Sequence, residues 1–219
     1  MQQELQGFQY LKSNEIANKT CDVEKPFAFI SYSHEAMDAQ IVRNTFSKLY
    51  EKGYNLWIDT ANIPYDENSW EDAATKALRK KGFCKCAIYF RSESSMTKAA
   101  VADELEKIKK LKHIGDIITV DIWNDANMSA GKYYEQMINS DKDAEYKVCE
   151  RICSIVNRDN SAIRLVSDTN SNIDLLVEKI AEQLEKRGVH GNGSHSEKKE
   201  NSVINEIVTV IVSDNTVIV

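Results

Sequence analysis

Polar and titratable side chains collect directly after two apolar runs. Ser31, Tyr32, Ser33 and His34 close the run over residues 27–31, and Arg91, Ser92 and Ser94 follow the run over 84–90. Hydroxyls, an imidazole and a guanidinium are hydrogen-bonding groups, so the two sets can serve one polar ligand if the fold joins the ends of both runs. Glu104 lies between Asp103 and Glu106, with Lys107 and Lys109 following. By spacing alone that is a solvated helix face at the edge of an apolar stripe of Val101 and Leu105. Cys84 and Cys86 alternate as in a strand, and Cys149 and Cys153 stand one helical turn apart. The five cysteines lack a four-ligand spacing, so they read as buried, reduced thiols and not as a metal site.

Several chemistries lack their motif. No glycine occurs between Gly7 and Gly53, so neither a G-x-G-x-x-G turn nor a P-loop follows the first run. Phe90, Arg91 and Ser92 stand where a phosphoacceptor aspartate is needed. GxSxG and HExxH are absent. A net charge of −6 argues against general nucleic-acid binding. No signal peptide opens the chain, and no run approaches the roughly 20 apolar residues of a membrane span. Together with the reduced thiols, this gives a cytoplasmic expectation.

The elements that must position these groups alternate. Strands are expected over residues 27–31, 54–59, 84–90, 117–123 and 162–166. Helices are expected over 38–50, from Ser69 with Asp72 as a capping partner, around Val101, Leu105 and Ile108, over 132–157 as one or two pieces, and after a Ser171–Asp174 cap. Alternation of this length, 42% hydrophobic residues and 28% charged residues describe a globular α/β fold. Right-handed crossovers wind it into a flavodoxin-like five-stranded parallel sheet of order 2-1-3-4-5. Ligands bind such sheets beyond the strand carboxyl ends where the order reverses, here between strands one and three. Residues 1–24 read as an N-terminal extension, 25–187 as the domain and 188–202 as a flexible linker. Residues 203–219 read as a β-hairpin or the start of a further domain.

The ordered motifs resemble the Toll/interleukin-1-receptor-like (TIR) family. Phe29-Ile30-Ser31-Tyr32-Ser33-His34 looks like its first box, and residues 53–59 look like the second strand. Ile63-Pro64 and Trp70 look like the BB loop and the helix after it; Ala87 to Ser92 and Ala102-Asp103-Glu104-Leu105 match the later boxes. The resemblance implies TIR self-association and, for enzymatic members of bacterial type, hydrolysis of NAD+ between nicotinamide and ribose. No resident cofactor or metal is then needed. By position Glu104 is the catalytic glutamate, with Tyr32, Ser33, His34, Asp59 and Lys98 as substrate contacts. Asp59 either meets ribose or caps the loop backbone, and Trp57 and Trp70 read as packing. The chain departs from the pattern in two places: Ala100 replaces the tryptophan of W-x-x-x-E, and Tyr65-Asp66-Glu67 replaces the loop glycine. The family further implies anti-phage signalling with an attached sensor module, or else a non-catalytic adaptor.

Overall fold

The computed structural model describes residues 16, 19–62, 70–114, 116–125, 127–157, 163–165 and 170–192. The BB-loop motif, the Ser69 cap and the 203–219 segment lie outside these residues; Ser171, expected to cap the last helix, instead falls inside it, because that helix already begins at Asn170.

Five strands alternate with helices. They are β1 (Phe27–Ser31), β2 (Leu56–Trp57), β3 (Cys84–Arg91), β4 (Ile117–Asp121) and β5 (Ile163–Arg164). The helices are α1 (Ala36–Glu51), α2 (Asp59–Asn62), α3 (Trp70–Leu78), α4 (Ala99–Lys110), α5 (Ala130–Ile138), α6 (Asp143–Ile155) and α7 (Asn170–Glu185), with a 3₁₀ turn at Ser95–Thr97. All pairings are parallel, in the order β2-β1-β3-β4-β5, as the alternation predicts. The 132–157 region resolves into two helices, and Ser129 caps the first by accepting from the Lys132 N–H.

Period-two alternation along β1 sorts its side chains to two faces. Ala28 and Ile30 join a core with Val42, Phe46 and Leu49 of α1 and Ile173, Val177 and Ile180 of α7. Phe27 and Phe29 face the opposite core, which takes in Val101, Leu105 and Ile108 of α4 and Ile152 of α6. There Phe29 stacks on Trp57 with ring centroids 4.6 Å apart, which gives Trp57 the packing role expected of it. Both β1 faces are covered, so its run is continuously apolar.

β2 is shorter than its expected span. It pairs only at Leu56 and Trp57, and Asp59 opens α2 because its own carboxylate accepts the Thr60 N–H at 2.7 Å. Packing also extends beyond residues 25–187. Ile16, Cys21 and Val23 lie on the cores, and fully buried Val189 sits among α1 and α7 side chains. The Asn192 N–H then donates to the Lys52 carbonyl at 2.9 Å. Among the described residues no helix is long and apolar enough to cross a membrane.

Candidate functional site

The carboxyl ends of β1 and β2, with α4 against them, hold a group of interacting titratable side chains. Ser31 has the same parity as Phe27 and Phe29, so it points toward α4. Its hydroxyl donates to Glu104 Oε2 at 2.7 Å across 73 residues of sequence. Glu104 is half-buried in the second turn of α4. Burial pushes its carboxyl up to about 7, and the nearby Asp59 charge adds to this. The Ser31 hydrogen bond and the His34 and Lys107 charges oppose that rise without cancelling it.

Asp59 is the hub of the other half. Its Oδ1 accepts from the Tyr32 phenol at 3.0 Å and from the Thr60 N–H, and its Oδ2 accepts from His34 Nε2 at 2.6 Å. Of the two roles open to Asp59, backbone capping is therefore present, joined by the anchoring of two rings. Tyr32 and His34 pack with centroids 4.9 Å apart. The carboxylate holds the imidazole's pKa above its ordinary value, so His34 carries positive charge further into the neutral range. The His34 side chain is 61% exposed while that of Asp59 is 12% exposed, so the ring is the part of this pair available to a ligand.

The remaining expected residues are placed otherwise. Ser33 is buried; its hydroxyl shares a 2.7 Å hydrogen bond with Ser94 and accepts from the Glu35 N–H, tying the exits of β1 and β3 together. Exposed Lys98 is engaged by Glu35 at 2.9 Å, closing the start of α4 against the start of α1. Arg91 does not enter the crevice. The β3–β4 register sets it beside Asp121, and the buried pair is bidentate, 2.6 Å from Nε to Oδ1 and 3.1 Å from Nη2 to Oδ2. Ser92 donates to Asp38, a buried carboxyl that its desolvation raises to about 6. Asp38 was not legible as a site residue, because an aspartate in a first helical turn ordinarily serves the helix dipole. A cavity of about 500 Å³ lies on that side, lined by Glu35, Asp38, Ser94, Asn124, Tyr133 and Glu145.

Arg43 of α1 is a second residue that sequence reasoning missed. Its charge acts on both the Tyr32 phenol and the His34 ring. Among the described residues no group of three or more His, Cys, Asp or Glu side chains converges on a metal position.

The arrangement thus offers a carboxyl raised by burial beside an exposed imidazole whose pKa a carboxylate raises, at the carboxyl edge of the sheet. The family pattern described as TIR domain matches residues 28–149, which include Ser31, Tyr32, His34, Asp59 and Glu104. No curated protein matches the chain. Among solved structures, it is similar to the TIR domains of the activated Roq1 resistosome directly recognizing the pathogen effector XopQ. That match has 20% identity, covers 73% of this chain and 99% of the other, and has a TM-score of 0.52. At that identity the likeness bears on fold, and the fold agrees strand for strand with the expected order. By the match over more than half its length, the chain belongs to the TIR domain family.

Proposed function

We propose that this TIR domain hydrolyses NAD+ at the nicotinamide–ribose bond when copies assemble, as a cytoplasmic bacterial enzyme of anti-phage signalling. The observation that carries the reading is the Glu104 carboxyl, half-buried and held by Ser31 at the carboxyl edge of β1. As the C1′–N bond breaks, its electron pair leaves with nicotinamide, which departs neutral and needs no general acid. Positive charge builds on the ribose, and an ionised Glu104 stabilises it in a site drier than bulk water. Water then adds to C1′ and loses a proton. One carboxylate suffices because leaving-group protonation is not required. His34 supplies an exposed imidazole contact for the polar part of the substrate, and residues beyond 202 begin a sensor or assembly module.

A second reading, a TIR adaptor without activity, is favoured by Ala100. It is exposed on the first turn of α4 and offers no ring to the nicotinamide. Nicotinamide release from NAD+ by concentrated or crosslinked protein separates the two. The hydrolase reading expects release that Glu104→Ala abolishes. Absence of release under every assembling condition sinks it, and release that survives Glu104→Ala removes Glu104 from the reaction.

A further inference from the structure

Arg43 sits in the third turn of α1, and helical side chains lean toward the helix N-terminus. That end of α1 follows β1, so the lean carries the guanidinium toward the carboxyl edge, where its charge reaches Tyr32 and His34. Its Nε is buried and has no hydrogen-bond partner. Every other described arginine that is not exposed is engaged: Arg91 by Asp121, Arg151 by Asp103 and Glu106, Arg164 by the Met128 carbonyl, and Arg187 by Asp116. Arg43 makes no such hydrogen bond or ion pair among the described residues. Asp59, the carboxylate that holds the same phenol and imidazole, is already occupied by Tyr32, Thr60 and His34. Thr60 Oγ1 is buried and interacts with the same phenol, but makes no hydrogen bond of ordinary geometry.

A partly desolvated cation without a counter-charge is costly, and a guanidinium is the side chain best matched to a phosphate fork. We propose that Arg43 recognises a phosphate group of a diphosphate-bridged nucleotide held in the crevice beside His34, with the Thr60 hydroxyl as a second donor. The assignment rests on the hydrolase reading only for the identity of the nucleotide. It adds a specificity residue on the face of the crevice opposite α4, so that the diphosphate and the scissile bond are held from different elements.

The test is direct binding to the full chain by calorimetry, with ADP-ribose, adenosine and inorganic pyrophosphate as probes and wild type, Arg43→Lys and Arg43→Gln as proteins. Arg43→Gln is expected to weaken ADP-ribose about tenfold or more, and Arg43→Lys less, because a charged hydrogen bond is lost in one and a fork in the other. The response to adenosine is expected to be the same in all three. In wild type, the Arg43 Nε–Hε resonance is expected to move with ADP-ribose and to stay in place with adenosine; this holds even if a variant fails to fold. Equal ADP-ribose affinity in all three proteins, parallel loss of ADP-ribose and adenosine, an unmoved resonance, or no ADP-ribose binding to wild type overturns the proposal. Binding of pyrophosphate without ADP-ribose likewise overturns it, leaving a bare anion site. Arg43-dependent binding of ADP-ribose without nicotinamide release from NAD+ overturns the hydrolase reading alone.

Discussion

Replacing Glu104 by glutamine is expected to stabilise the domain at pH 8 and to leave it nearly unchanged at pH 4.5. Burial raises the Glu104 carboxyl from 4.5 to about 7, so the folded state holds this proton more tightly than the unfolded chain does. Stability then falls as pH rises, because proton release disfavours the state that binds the proton better. The penalty is absent below 4.5, grows between 4.5 and about 7, and is complete above that. Each tenfold change in proton affinity is worth about 1.36 kcal/mol, so this displacement amounts to about 3 kcal/mol at most. Glutamine is neutral throughout and still offers Ser31 an amide oxygen, so the variant escapes the penalty while keeping the hydrogen bond. Asp38, raised to about 6, titrates in the same window in both proteins, so the difference between them isolates Glu104. Urea denaturation of both at half-unit steps from pH 4.5 to 8.5 measures it. Parallel profiles refute the reasoning, because they mean that Glu104 is no harder to ionise in the fold than outside it.

Three further outcomes follow from the same geometry. Asp59→Asn is expected to lower the His34 pKa toward its ordinary value, since the carboxylate hydrogen bond is the largest cause raising it. An NMR titration of the His34 ring reads this, and an unchanged midpoint denies that the pair exists in solution. Asp121→Asn leaves the buried Arg91 guanidinium without its counter-charge and is expected to cost about 3–5 kcal/mol in denaturant unfolding; a loss below about 1 kcal/mol contradicts the burial. Gly191→Ala places a Cβ 2.7 Å from the Lys52 carbonyl oxygen, a backbone atom with little room to yield. It is expected to cost about 1–3 kcal/mol and to speed amide exchange at Asn192, whose N–H that carbonyl accepts; unchanged exchange there would mean that the segment does not dock.

Local pattern carried the sheet and lost the site at the points where register or tertiary contact decides. The β1 and β3 runs are apolar on both faces, so they read as buried parallel strands without any knowledge of their neighbours. The end of β2 did not read correctly, because Asp59 turns the chain by capping its own backbone, and an aspartate closing an apolar run gives no such sign. Arg91 looked like a crevice residue because it stands at a strand exit. Only the alignment of β3 with β4 shows that Asp121 claims it. Glu104 was singled out by resemblance, since its spacing is that of a solvated face; the structure adds Ser31, whose side is set by alternation along β1. Arg43 is an ordinary helical arginine in sequence. Its lack of a partner is a property of three elements meeting and has no one-dimensional signature.

The docking of residues 188–192 has a mechanical side. The Asn192 N–H grips the Lys52 carbonyl directly after α1, Tyr54 donates to Glu185 at 2.9 Å, and His190 and the Gly191 N–H reach the same carboxylate. This clasp sits at the amino edge of the sheet, the pole away from Glu104. α1 is a rod of 16 residues, about 24 Å long, with the clasp at one tip, Asp38 near the other and Arg43 midway. A load applied to the chain beyond Asn192 therefore enters the domain at the far end of the rod that carries Arg43. It reaches the crevice wall through a single stiff element.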